Sequence, residues 1–270
     1  MRIPFVKMHG LGNDFIIFDN IENPIIHDSK FINKISNRRI GIGCDQVLII
    51  EDTNNPENFE VKIYNSDGSE TGACGNGTRC VADHLMKKND LNSVTIKSIS
   101  DDLVCSKTDN LVTVNMGVPK FSWNEIPLSK DQNTQNVKLD EFEAFCLSIG
   151  NPHAVIFINN LEELENLNIN SIGPRLEKNS IFPEFANIEF VSVLEDKSLR
   201  MRVWERGAGM TSACGSGACA TLVAASSLDK SAKENKIVLD GGDLFIKWLD
   251  NGSVTLSGDT ERVFEGFIGE

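Results

Sequence analysis

A motif that occurs twice constrains this chain more than any other feature. "ACGNGTRCVA" occupies residues 73–82 and "ACGSGACATL" residues 213–222. The lead cysteines, Cys74 and Cys214, lie 140 residues apart (214 − 74), about half of the 270-residue chain. The likeness extends upstream: "IYNSDGSETGACGNG" (63–77) aligns without a gap on "VWERGAGMTSACGSG" (203–217). "GLGNDFIIF" (10–18) resembles "SIGNPHAVIF" (148–157), each a Gly-Asn pair opening an apolar run. "CDQVLII" (44–50) echoes "ANIEFVSV" (186–193) more weakly. Three segments in one order at nearly one offset predict two homologous domains related by a pseudo-twofold.

Hydrophobic periodicity fills in each domain. Residues 59–64, 199–204 and 244–248 alternate as half-buried strands do, and 94–99, 111–116, 145–149, 155–158, 237–239 and 254–256 add short β-rich runs. Helices are expected over 29–38, with Phe31, Ile32 and Ile35 inward, near 161–167 and over 171–178. The segment after each Gly-X-Gly is different. Residues 218–228 are apolar or small on nearly every side, and Val81, Ala82, Leu85 and Met86 hold similar places in the first copy. A helix that is apolar all round is buried. The expected fold is therefore α+β, each domain a curved, barrel-like sheet around one central helix. The expected domains are 1–118, completed by a C-terminal strand at 260–270, and 119–259.

Composition removes several function classes. A net charge of −13 repels phosphate backbones, so no nucleic-acid partner is expected. No apolar run approaches the about 20 residues of a membrane span, and "MRIPFVKMHG" lacks the core of a secretion signal. No membrane partner and a cytoplasmic location follow as expectations. The seven cysteines then read as free thiols rather than a disulfide frame.

Chemistry concentrates at the two lead cysteines. A helix N-terminus carries unsatisfied N–H groups and a partial positive charge, and glycines let that backbone approach a ligand and adopt positive φ. Gly75-Asn76-Gly77 and Gly215-Ser216-Gly217 thus look like paired cradles for a carboxylate or phosphate. The same field is expected to lower a cysteine's pKa from ~8.5 towards neutrality, making it a usable base. Two such units acting on one substrate carbon could remove a proton from one face and return one to the other, with coupled thiol and thiolate.

The segments "KMHGLGNDF", "RIGIGCDQ", "GNPH", "FPEFANIEFV" and "ERGAG", with the two cysteine motifs, resemble the diaminopimelate epimerase family over essentially the whole chain. The resemblance implies interconversion of LL- and meso-diaminopimelate without cofactor or metal, in the supply of lysine and peptidoglycan precursors. It implies that Cys74 and Cys214 are the catalytic acid and base. It further implies that Asn13, Gln46, Asn65, Asn151, Asn187 and Arg206 hold the substrate, and that Gly75, Asn76, Gly215 and Ser216 receive its reacting carboxylate. His153 and Glu205 fall beside the cysteines, Glu205 also within reach of substrate. The residue types suit these roles: Asn and Gln offer both donor and acceptor, and Arg206 can hold a distal carboxylate bidentately. Among departures from the family pattern, Met210 replaces a polar residue and Cys44 an alanine or phenylalanine. Phe264 stands where many relatives carry a tyrosine associated with dimerisation, which leaves a homodimer open.

Proline and hydroxyproline racemases share the paired cysteines but typically carry Cys-Gly-His-Gly, and a cyclic substrate would leave Arg206 without a second carboxylate. Phenazine-type isomerases lack the cysteine pair. A zinc or redox protein fits poorly, because Cys74/Cys80 and Cys214/Cys219 lack the two-residue spacing of such sites.

Overall fold

The computed structural model describes residues 2–21, 24–25, 27–55, 57–71, 74–97, 102–108 and 111–269. It divides into two compact units, residues 1–114 with 258–270, and residues 115–257. The first contains β1 (Ile3–Gly10), β2 (Asn13–Asp19), α1 (Ser29–Ser36), β3 (Gln46–Asn55), β4 (Asn58–Asn65), β5 (Glu70–Thr71), α2 (Gly75–Asn89), β6 (Ser93–Lys97), β7 (Asp102–Thr108) and β8 (Leu111–Asn115). The second contains β9 (Val137–Leu139), β10 (Phe142–Ser148), β11 (Pro152–Phe157), α3 (Leu161–Asn166), α4 (Ile169–Glu177), β12 (Asn187–Val193), β13 (Leu199–Glu205), β14 (Gly209–Thr211), α5 (Gly215–Ser227), β15 (Glu234–Leu239), β16 (Gly242–Trp248) and β17 (Val254–Gly258). The last strand, β18 (Glu261–Ile268), returns to pair antiparallel with β1.

The two units repeat one strand topology. Along β18-β1-β2-β3-β4-β6-β7-β8 the neighbours are antiparallel, antiparallel, parallel, antiparallel, parallel, antiparallel and antiparallel. Along β9-β10-β11-β12-β13-β15-β16-β17 the same series recurs. Parallel neighbours need a crossover, and in both units the second crossover is a short strand followed by the cysteine-led helix. The expected strands and helices form, with ends moved by a few residues. Ser98 and Ile99, the end of one expected strand, lie outside the described residues.

The cysteine-led helices are the cores of their units. In α5, Ala218, Cys219, Ala220, Leu222, Val223, Ala224 and Ala225 are all fully buried, and the helix touches β10, β11, β12, β13, β15 and β16. One helix reaches six strands of a single sheet only if that sheet curves around it. The run of alanines favours helix and keeps the cylinder narrow enough for the strands to close on. In α2 the same role falls to Cys80, Val81, Ala82, Leu85 and Met86, against β1, β2, β3, β6 and β7. Outside the sheet, α1 is capped by Asp28, whose side chain accepts from the Phe31 N–H at 2.8 Å, and it buries Ile32 and Ile35. No helix among the described residues is long and apolar enough to cross a membrane.

A charge cluster ties β1, β2 and the loop after α1. Lys7, 7 % exposed, reaches Asp14 Oδ2 at 2.5 Å, and Arg38 grips the same carboxylate through both nitrogens at 2.7 and 2.9 Å. Burial pushes Asp14 up, but Arg38 and Lys7 outweigh it and hold the carboxyl well below its ordinary 3.8. Its stabilisation is therefore complete above about pH 4 and is lost as pH falls through the lower folded-state value. Replacing Asp14 by Asn strands the Lys7 ammonium and is expected to cost about 3 kcal/mol in urea unfolding at pH 7. A cost under about 1 kcal/mol would show that Lys7 finds another acceptor.

Candidate active site

In the first unit the site grows from the start of α2. Cys74 is the N-cap, extended at φ −153° and ψ 101°, and its sulfur accepts from the Gly77 N–H at 3.4 Å. Its thiol faces Asn13 Oδ1 at 3.7 Å, which also accepts from Asn76 Nδ2 at 3.4 Å. Arg79, fully buried one turn on, donates to Asn76 Oδ1 at 3.0 Å, while Asn13 Nδ2 donates to Asp45 Oδ2 at 2.9 Å. A guanidinium can only donate and a carboxylate only accept, so Arg79 and Asp45 fix the direction of both amides between them. Cys74 is thereby offered an acceptor by the side chain of Asn13 and a donor by the backbone of Gly77. At the neighbouring strand ends, Gln46 Nε2 donates to Asn65 Oδ1 at 3.0 Å, and Asn65 Nδ2 to Ser69 Oγ at 3.1 Å. Gln46 Oε1 is buried without a partner among the described residues. Ala73, the first residue of the motif, lies outside the described residues.

The second unit places Cys214 likewise at the N-cap of α5, φ −127° and ψ 113°, but in different surroundings. Its hydrogen bond runs to Glu205, whose Oε1 also accepts from Thr211 Oγ1 at 2.5 Å, and its sulfur lies 3.7 Å from Ser216 Oγ. His153 and Glu189 are both 0 % exposed and meet at 2.7 Å between Nδ1 and Oε1. The other ring nitrogen faces Asn151 Oδ1 at 2.9 Å, and Asn151 Nδ2 faces Ser216 Oγ at 3.5 Å. Asn187 is occupied at both ends by backbone: Nδ2 donates to the Pro152 carbonyl, and Oδ1 accepts from the Arg206 N–H, each at 3.0 Å. It straps β11 to the turn after β13. The Arg206 guanidinium donates to the Glu184 carbonyl at 3.1 Å. Met210, 43 % exposed in β14, pairs with Trp204 across the strands and has its sulfur 3.9 Å from the Arg202 guanidinium. Cys44 is buried against Ser36, a packing role.

Two expectations need correction. None of Gly75, Gly77, Gly215 and Gly217 has positive φ; left-handed backbone occurs instead at Gly12 (82°) and Gly150 (85°), before Asn13 and Asn151. The motif glycines supply the absence of a Cβ. One built on Gly217 would lie 2.8 Å from Glu189 Oε1 and 3.3 Å from Cys214 Sγ; one on Gly77 would meet Leu48 at 3.1 Å. The second correction concerns the Cys214 thiol, which is not lowered. Burial pushes it well above its ordinary value, Glu205 and Glu189 add to the rise, and the Gly217 N–H only partly opposes them. The magnitudes explain the outcome: a helix terminus is worth about 0.3–2 kcal/mol, whereas full burial can shift a group by about 3–5 units at about 1.4 kcal/mol each. Glu205 is raised too, by burial first, against the hydrogen bonds from Thr211 and Cys214.

Sequence reasoning passed over Glu189, Arg79 and Asp45. Glu189 carried a readable signal, a carboxylate between Ile188 and Phe190 in a strand buried on both faces. Arg79 and Asp45 are charged residues beside loops or helix surfaces in the sequence, and only the fold puts them behind the asparagines.

The seven thiols are expected to differ sharply in reactivity. Cys74 is half-buried, whereas the other six are buried. Burial raises Cys44, Cys80, Cys146 and Cys214, and Cys105 is pushed up to about 12. A raised thiol stays protonated to higher pH and carries less thiolate at pH 8. Iodoacetamide at pH 8, followed by peptide mass mapping, should label Cys74 at least about tenfold faster than any other. Equal labelling of Cys214 would contradict this placement. Among the described residues no group of three or more His, Cys, Asp or Glu is arranged to hold a metal ion.

The family model described as "Diaminopimelate epimerase" matches residues 5–122 and 145–263. The diaminopimelate epimerase of Rhodospirillum centenum is 41% identical over 271 residues, spanning 98% of this chain and 92% of that protein. That of Acidiphilium cryptum is 43% identical over 268 residues, 97% of this chain and 95% of the relative. Among solved structures, a predicted epimerase from Pseudomonas aeruginosa superimposes with a TM-score of 0.71 over 98% of this chain and 99% of its own, at 15% identity, a likeness of fold.

Proposed function

The chain belongs to the diaminopimelate epimerase family, and from that premise we propose that it interconverts LL- and meso-diaminopimelate by proton transfer between two thiols. One cysteine, as thiolate, takes the α-proton. The electron pair left on carbon spreads into the adjoining carboxylate, and the other cysteine, as thiol, gives its proton to the opposite face. The product keeps every atom but one hydrogen, and the thiol and thiolate have exchanged states. No electron acceptor is needed, so this chemistry asks for no cofactor. The observation that carries the reading is the twice-built N-cap cysteine, held at the start of a buried crossover helix in two units of one strand topology.

In this reading the backbone N–H groups at Gly75-Asn76 and Gly215-Ser216 stabilise the charge that develops on the reacting carboxylate. Asn13, Gln46, Asn65 and Asn151 read the ammonium and carboxylate groups, and Arg206 holds the distal carboxylate. Gln46 Oε1, buried and unpartnered, is an acceptor of the kind an ammonium would satisfy. Asn187 contributes by fixing the Arg206 backbone, and Glu205 by accepting the Cys214 proton's hydrogen bond. The Cys-Gly-Asn-Gly and Cys-Gly-Ser-Gly sequences and the presence of Arg206 favour this substrate over proline. A cytoplasmic setting and a homodimer using the half-exposed Phe264 of β18 belong to the same reading.

The test is incubation of the reduced, purified protein with LL-diaminopimelate and, separately, L-proline, with products resolved by chiral chromatography. Appearance of the meso form alone is expected. Racemised proline with unchanged diaminopimelate would overturn the substrate assignment.

A further inference from the structure

The duplicated topology allows a position-by-position comparison beneath the two cysteine turns. In the first unit Phe15 pairs with Gln46, and Ile17 with Leu48, across parallel strands β2 and β3. In the second, His153 pairs with Asn187, and Val155 with Glu189, across β11 and β12. His153 thus holds the place of Phe15, and Glu189 the place of Leu48. The glycines agree: a Cβ on Gly77 would meet Leu48 and Phe15, and a Cβ on Gly217 would meet Glu189. One floor is a hydrocarbon pair and the other an acid with an imidazole, although both lie at the same point of the same fold.

The acid is an expensive occupant. Glu189 is fully buried, and its Oε2 has no partner among the described residues. Leu48 fills the equivalent place with no polar atom to satisfy, so packing does not require a carboxylate there. We propose that Glu189 is a positioning residue of the epimerase reaction: by accepting from Nδ1 of His153 it fixes the imidazole against Asn151 and the Cys214 turn, and it sets a second carboxylate near the Cys214 thiol. This rests on the proposed function for its catalytic consequence, but not for its effect on the thiol.

The geometry runs through a short chain. Glu189 Oε1 accepts from His153 Nδ1 at 2.7 Å, which leaves Nε2 as an acceptor 2.9 Å from the Asn151 side-chain amide. Asn151 in turn faces Ser216 Oγ, and that hydroxyl lies 3.7 Å from Cys214 Sγ. The carboxylate also acts on Cys214 directly as a charge. On that sulfur act Glu205 of β13 and Glu189 of β12; His153 of β11 acts on Glu205, and the thiol of Cys146 in β10 lies near Glu189. After burial, the largest causes acting on the thiol lie in β12, β13 and the start of α5 rather than in β15 or β16. Glu189 and Glu205 both keep its proton in place. Without Glu189, the imidazole loses its anchor and the thiol one of its two negative neighbours.

The test uses Glu189→Gln, which preserves shape, in the full chain. Turnover is expected to fall about 10- to 100-fold with KM within about threefold, because alignment is lost rather than substrate contact. In a Cys74→Ala background, the pH midpoint for iodoacetamide labelling of Cys214, followed by peptide mapping, should move to lower pH. A uniformly faster reaction with an unmoved midpoint and a lower melting temperature would mean a merely structural role and overturn the proposal. So would turnover within about twofold of wild type. A second variant guards against misfolding: His153→Phe with Glu189→Leu transplants the first unit's floor. It is expected to melt no lower than wild type and to lose epimerisation, and full activity in it would overturn the proposal. Should the wild type fail to turn over diaminopimelate, the labelling midpoint still tests the role of Glu189 on its own.

Discussion

Substituting serine for either Cys74 or Cys214 is expected to reduce epimerisation by about a thousandfold or more while leaving the fold intact. The exchange of sulfur for oxygen is nearly isosteric, and each position is an N-cap, where serine is itself a favoured residue. Helix stability therefore does not suffer. What is lost is proton affinity in the useful range, because a hydroxyl is a far weaker acid than a thiol and cannot form its anion near neutral pH. The loss should be similar for both variants, since epimerisation needs one proton removed and one delivered. Circular dichroism and melting curves establish the fold, and initial rates from LL-diaminopimelate establish the loss. A Cys214→Ser enzyme within about tenfold of wild type would show that this position supplies only packing or a hydrogen bond.

Gly217→Ala should cost about 100-fold in turnover, and Gly77→Ala far less. Both changes replace a glycine in the first turn of a helix with the best helix former, so backbone propensity favours them equally. The difference lies in what each new methyl meets. At Gly217 it falls 2.8 Å from Glu189 Oε1 and 3.3 Å from the Cys214 sulfur, and that buried carboxylate oxygen is already held by His153. To make room, the carboxylate and the thiol must shift, and misplacing a reacting group by about 1 Å can cost about 100-fold. At Gly77 the methyl meets the Leu48 and Phe15 side chains at 3.1 and 3.4 Å, which can yield by small rotations. A loss within about fivefold is expected there. Equal losses in the two variants would contradict the difference between the two floors.

Much of the fold could be read before any coordinates, because the repeat carried it. The gapless match of residues 63–77 to 203–217 fixed the order strand, turn, cysteine, helix in both units, and the all-round apolar character of 218–228 marked its helix as buried. Short pieces such as β5 and β14 were not legible, since two or three residues give no period to read. At the site, residue types pointed to the right segments but not to the wiring. Nothing in "ANIEF" says that the Asn187 amide is consumed by backbone, or that Glu189 pairs with a histidine 36 residues earlier. The direction of the Cys214 shift was misjudged for a related reason: the helix terminus is visible in sequence, whereas depth and two neighbouring carboxylates are not.

The central claim, two thiols serving one carbon from opposite faces, is tested most directly by proton NMR of LL-diaminopimelate in D₂O with the wild type, Cys74→Ala and Cys214→Ala. The account predicts that the wild type replaces the α-proton with deuterium as the meso form appears. It predicts that neither variant yields the meso form, while at least one still washes out the α-proton of a single stereoisomer through its remaining thiol. Meso product from either single variant would contradict the account, because inversion would then need only one of the two cysteines.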